Sequence, residues 1–136
     1  MSQEFAIRRI YIKDVSFEAP GGAHTFTQAW DPEVKVDVDV ALDTLGDTTF
    51  DVTLILTVVM RNAGETAFMI EVLQSGIFHV SGYDEATRHR ILHTVCPNAL
   101  FPYAREVIDG LAVKGSFPAL MLEPVNFEAI YNDNKG

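Results

Sequence analysis

Apolar and polar residues alternate with a period of two through most of the first eighty positions, and the period then changes. Val34-Lys35-Val36-Asp37-Val38-Asp39-Val40 puts its valines on one side and Lys35, Asp37 and Asp39 on the other. That is the pattern of a half-exposed strand. Phe50, Val52, Leu54, Leu56, Val58 and Met60 form one face of a further strand. Its other face, Asp51, Thr53, Ile55, Thr57, Val59 and Arg61, is only half polar, so partial cover is expected there too. Asn62-Ala63-Gly64-Glu65 reads as a tight connection, and Thr66 to Val80 as the returning strand, with Gly76 marking a bulge. Upstream, Phe5 to Glu18 reads as a long first strand closed by Gly21-Gly22 and followed by a loop with His24, Phe26 and Trp30. Strict alternation in that strand points Ile12, Asp14, Ser16 and Glu18 one way and Lys13, Val15 and Phe17 the other.

The second half is helical. Asp84 to Val95 is a predicted helix that ends at Cys96-Pro97, because proline disfavours a helical residue before it. Asn98 can cap a second helix. Its stripe is Leu100, Tyr103, Ala104, Val107, Ile108 and Leu111, with Pro102 in the first turn and Gly115 as the stop. Phe117-Pro118 opens an extended stretch, and Asn126 caps a short last helix that frays by Asn132. Strands followed by helices predict an α+β fold: one domain over residues 1–136, with a four-stranded antiparallel sheet packed on one face by helices. The apolar positions on the opposite face, Ile55 and Val59 among them, predict a partner, most simply another copy of the chain.

Composition narrows the function. The formal charge of −9 argues against nucleic acid, whose phosphates need a basic face. Leu54 to Met60 is the longest apolar run, interrupted by Thr57 and too short to span a bilayer. No direct membrane insertion is expected. The single cysteine, Cys96, excludes a disulfide framework within the chain, and the start, Met-Ser-Gln-Glu-Phe, has no signal-peptide pattern. A reducing, cytoplasmic setting is the expectation.

Catalytic signals are weak. His89, His93 and Cys96 share one face of the predicted helix and have the residue types of a zinc site. Arg88 and Arg90 flank them and no acidic orienter adjoins, so a polar helix surface is expected and no metal. Cys96, between Val95 and Pro97 with no glycine-rich oxyanion loop, reads as a structural thiol rather than a nucleophile. No phosphate-binding loop, dinucleotide fingerprint or nucleophile elbow occurs, so neither an enzyme nor a cofactor is expected. The aromatics Phe17, Phe26, Trp30, Phe101, Tyr103, Phe117 and Phe127 come mostly from connections and element ends. They either plug the core or line an apolar groove that takes extended peptide by shape-tolerant contact.

Four separated blocks carry a specific resemblance: Ile10 to Pro20 (IYIKDVSFEAP), Trp30 to Lys35 (WDPEVK), Cys96 to Glu106 (CPNALFPYARE) and Pro124 to Phe127 (PVNF). In this order, over nearly the whole chain, they closely resemble SecB, the bacterial protein-export chaperone family. The resemblance implies a homotetramer, a dimer of dimers, that holds unfolded precursor proteins in the cytoplasm and passes them to the SecA motor without a cofactor. It implies SecA docking at Asp14, Glu18 and Glu71 with Met69, and assembly effects at Ile70, Val72 and Gln74. It places the client groove between the loop with Phe26 and Trp30, the valines Val36, Val38 and Val40, and the helix with Leu100, Phe101 and Tyr103, bordered by Phe17. A SecB-like chaperone dedicated to one client, such as an antitoxin, is the alternative. Family members usually carry a longer last helix and a mobile tail that also contacts SecA. This chain stops at Asn134-Lys135-Gly136, which shifts the expected docking onto the acidic sheet surface.

Overall fold

The computed structural model describes residues 2–135, with side chains to Asp133. Its strands are β1 (Glu4–Glu18), β2 (Pro32–Thr44), β3 (Thr49–Asn62) and β4 (Glu65–Ser81). The helices are α1 (Glu85–His93), α2 (Val95–Lys114) and α3 (Phe127–Lys135), and a short 3-10 helix, Gly22–Thr27, lies between β1 and β2. The four strands form one antiparallel sheet in the order β1-β4-β3-β2. The chain therefore leaves one edge of the sheet at Glu18 and returns at the other edge at Pro32. Ala63 and Gly64, both with positive φ, make the two-residue turn between β3 and β4 that matches the twist of the paired strands.

Register assigns the faces. Leu56 pairs with Val72, Val58 with Ile70 and Met60 with Phe68, all buried under the helices. From above, α2 presents Leu100, Ala104, Ile108 and Ala112, four residues apart and fully buried, to β4 and β3. Each large apolar side chain so buried adds about 1.5–3 kcal/mol. The α+β architecture read from the sequence is the one observed.

Four local expectations are corrected. Gly76 marks no bulge: it pairs regularly with Ile10 and Val52. Its missing side chain instead makes room for α2, since a Cβ there would stand 2.8 Å from Phe78 and 3.0 Å from Leu100. The break between α1 and α2 falls at Thr94, not at Cys96-Pro97; Pro97 sits in the first turn of α2, where a missing N–H costs nothing. Asn98 is therefore inside α2, not its cap, and Pro102 lies beyond the first turn. At the other end α2 stops at Gly115 as expected, the left-handed residue is Ser116 just after it, and the N–H of Phe117 reaches the carbonyl of Ala112 at 2.9 Å. Gly115 is small because the Phe17 ring packs there, 2.5 Å from where a Cβ would be.

The third correction concerns β1, and the fourth the length of α3. Register shifts between Ile7 and Arg9 and between Ile12 and Asp14 break its alternation. Ile12, opposite Gln74, lies on the helix side, while Asp14, Ser16 and Glu18 lie on the open side. The shift sends Lys13 to the open side as well, where its Nζ donates to Asp51 and Thr53. α3 is capped as expected, with Asn126 Oδ1 accepting from Ala129, but it runs past Asn132 to Lys135; Gly136 lies outside the described residues.

Gly76→Ala is expected to destabilise the fold by about 1–3 kcal/mol, because the added methyl overpacks the α2–β4 contact. Urea unfolding measures this; an unchanged midpoint contradicts the role given to Gly76.

Candidate functional site

The open face of the sheet brings the acidic residues together. Met69 on β4 lies between Glu18 and Val59, and Glu71 lies between Ser16 and Thr57. Asp14 stands opposite Leu73 in the next row. Asp14, Glu18 and Glu71 are exposed, and Met69 is 40% exposed in their midst. Half-buried Ile55, Val59, Leu73 and Ile77 continue the face as apolar ground beneath the acids. The arrangement suits a partner that offers cations around an apolar contact.

A polar lock stiffens this face. Tyr11 Oη donates to Asp51 at 3.0 Å, Lys13 Nζ to Asp51 at 2.8 Å and to Thr53 at 3.2 Å, and Thr53 and Ser75 hydroxyls are 2.7 Å apart. The hydrogen bond to Asp51 holds the Lys13 amine above its ordinary pKa, against the opposing effect of its burial. The Lys13 contribution is therefore present at neutral pH and is lost as rising pH strips the amine of its proton. On the helix side, Gln74 Nε2 donates to the Tyr11 carbonyl at 3.1 Å, next to the Lys13 shift.

The helix side carries an apolar strip along β2. Val34, Val36, Val38 and Val40 face that side; Val34 is exposed and the helices leave Val36, Val38 and Val40 half-buried. At one end, Phe26 and Trp30 pack on Phe117, with ring centres 5.2 and 5.7 Å apart. Phe117 in turn meets Phe68 at 4.7 Å, and Phe17 stacks on Phe68 at 5.9 Å. Phe26 (54% exposed) and Trp30 (41%) border an open pocket with Phe117 and Pro118. Buried Asn62 fixes this end of the loop, accepting from Asp31 N–H and donating to the Ala29 carbonyl. At the other end, Val38 and Val40 join Phe127, Ile130, Tyr131, His89 and His93 around a pocket of about 280 Å³.

Phe17, Phe26, Trp30, Val36, Val38 and Val40 thus lie along one side of the molecule. Leu100 and Phe101 do not belong with them: at 0% and 4% exposure they fill the core under α2. Tyr103 is exposed, but on the flank of α2 turned away from Arg105 and Asp109, which bind the 117–126 segment at Leu122, Leu120 and Met121. Ile70, Val72 and Gln74 are buried on the helix side within this one chain, so their side chains are not open to another copy. Any effect of theirs on assembly runs through the core or through the support Gln74 gives to β1.

Sequence reasoning missed Ile130 and Tyr131. Phe127, Ile130 and Tyr131 stand at i, i+3 and i+4 after the Asn126 cap, a signal of an amphipathic helix, but the strand they cover is more than eighty positions away. Cys96 is fully buried, and burial pushes its thiol up to about 12, away from any nucleophilic role. Among the described residues no three His, Cys, Asp or Glu side chains cluster as metal ligands. No helix among them is long and apolar enough to cross a membrane.

The sheet is thus acidic around Met69 on one side and lined with partly covered apolar residues on the other, two surfaces of the kind that dock partners. The family model described as preprotein translocase subunit SecB matches residues 1–136, and the chain belongs to the SecB family. The protein-export protein SecB of Halorhodospira halophila is 47% identical over 133 residues, covering 98% of this chain and 77% of that one. The protein of the same name from Hahella chejuensis is 50% identical over 127 residues, covering 93% and 80%. The family is one of protein-export chaperones, not of enzymes. Among solved structures, a SecB-like chaperone of Mycobacterium tuberculosis in complex with an antitoxin peptide superposes with a TM-score of 0.67 at 19% identity, covering 89% of this chain and 90% of that one. That likeness shows the shared fold.

The buried thiol gives a direct check. Cys96 is expected to resist a thiol-reactive dye in the native protein and to react fully in denaturant; rapid native labelling contradicts the packing described.

Proposed function

We propose that the protein is a cytoplasmic holdase: residues 1–136 act as one unit that binds unfolded precursor proteins along the β2 strip and delivers them to SecA from the open sheet face. The observation that carries the reading is the strip itself. Six residue steps from Val34 to Val40 span about 20 Å, the length of about six residues of extended client. Both ends broaden into pockets that mix aromatic and polar residues, and the strip between them presents only valines to the helix side, so binding would depend on apolar content rather than sequence. Apolar burial at about 25 cal/mol per Å² favours unfolded clients over folded ones without chemistry. Binding of the unfolded state then holds it by mass action.

The SecA-docking role goes to Asp14, Glu18 and Glu71 around Met69. It is supported by their shared exposed face, separate from the client strip, so both partners can be held together. Assembly as a homotetramer is supported by the apolar side chains that edge strand β1 leaves exposed beyond the helices, Phe5, Ile7, Ile12 and Val15. Several strips in one particle would bind a long client multivalently. Export rather than service to a single antitoxin is favoured by the 47–50% identity to export proteins, against 19% to the antitoxin-bound chaperone.

Light scattering of an aggregating precursor tests the reading: a stoichiometric amount of protein should suppress aggregation, and Trp30→Ala should weaken suppression. Glu71→Lys should leave suppression intact while lowering SecA affinity about tenfold, equivalent to about 1.4 kcal/mol, in a salt-sensitive manner. Unaltered aggregation sinks the holdase reading; unaltered SecA affinity sinks only the docking surface. Native mass spectrometry should find four chains per particle, and a monomer contradicts the assembly.

A further inference from the structure

We propose that Asp51 keeps the Lys13 ammonium off the acidic surface around Met69, leaving Asp14, Glu18 and Glu71 to meet the cations of a docking partner. The inference rests on the docking role proposed above for that surface and adds a positioning residue to it. Alternation ordinarily sends neighbouring side chains of a strand to opposite faces. The register shift between Ile12 and Asp14 suspends that rule: Lys13 is the extra residue of the shift and shares the open face with Asp14. A lysine thus stands beside the first carboxylate of the surface. Arg9 and Lys35 are farther off. Arg9 pairs with Ile77, four residues along β4 from the Leu73 that faces Asp14, about 13 Å away. Lys35 lies in the row of Glu18 but three strand spacings across the sheet, about 14 Å.

Asp51 pulls that lysine the other way. It pairs with Ile77, and Thr53 with Ser75, whereas Glu71 and Met69 lie on the opposite side of Leu73 along β4. Lys13 Nζ is held 2.8 Å from the Asp51 carboxylate and 3.2 Å from the Thr53 hydroxyl, so its charge is drawn away from Glu71 and Glu18. The Asp51 side chain is 7% exposed and that of Lys13 41%, which makes the carboxylate the fixed anchor and the amine the end able to move. Among the described residues Asp14, Glu18 and Glu71 form no ion pair. Released from Asp51, the ammonium on its flexible stem reaches the neighbouring Asp14 and competes there with an incoming cation. The buried anchor thus sets the charge that the exposed surface offers.

A double-mutant cycle on SecA affinity at low salt tests this. Asp51→Asn keeps an acceptor for Tyr11 but frees the lysine, and should weaken binding about threefold. Asp51→Ser replaces it if circular dichroism shows the first variant to be unfolded. Lys13→Met should restore the affinity of the Asp51 variant, and should raise affinity more in that background than in the parent. That coupling separates the release of Lys13 from a simple change in net charge. Asp43→Asn removes the same charge from the strand beside Asp51 and should weaken binding less than Asp51→Asn does. Additive effects of the Lys13 and Asp51 changes, or equal losses in the Asp43 and Asp51 variants, overturn the inference alone if Glu71→Lys still weakens SecA binding. Parental affinity in Glu71→Lys overturns the docking surface and this inference with it.

Discussion

An α-helix with its side chains is about 10 Å across, and four strands spaced about 4.8 Å apart make a wider surface. α2 therefore covers the middle of the sheet and nothing more. Leu100, Ala104, Ile108 and Ala112 press onto β4 and β3, and Gly76 lets the helix come close. The two edge strands are left with apolar residues that α2 cannot reach. On β2 the short helices and the aromatic loop cover them incompletely, leaving an apolar strip with a pocket at each end. On β1 the side chains of Phe5, Ile7, Ile12 and Val15 remain exposed. A binding protein needs such a surplus of apolar surface, and here it follows from the mismatch in width between one helix and four strands.

The opposite face obeys a different rule. With no helix over it, its central positions are apolar or locked in the Asp51 network, and its exposed positions around Met69 are acidic. Because successive side chains of a strand point to opposite faces, β1 serves both surfaces. Phe17 supports the aromatic end of the groove and Glu18, the next residue, belongs to the acidic face. The sheet is a rigid partition between the two surfaces, so a change to one need not disturb the other.

How much of this was legible depended on how local the cause was. The even alternation of Val34 to Val40 and of Phe50 to Met60 identified β2 and β3 and their buried faces, because each strand meets a single layer on each side. The same rule failed at β1, where two register shifts reset the phase and moved Ile12 and Lys13 to opposite faces from those expected. The helix break was misplaced because a proline in the first turn resembles a proline beyond the end until the cap is seen. In the candidate groove, the valines and loop aromatics were readable, but Leu100 and Phe101 were not separable from them by type, since apolar residues suit a core and a groove equally.

By itself the sequence determined the order of strands and helices, the acidic balance and, through four blocks of residues, the family. Those depend on local periodicity and on residue identity, which the chain carries at every position. Only the tertiary structure decided which apolar residues are core and which are surface, and it brought Val38 and Val40 to His89, His93 and Tyr131. Burial depends on what lies above a residue, and here what lies above comes from the far end of the chain.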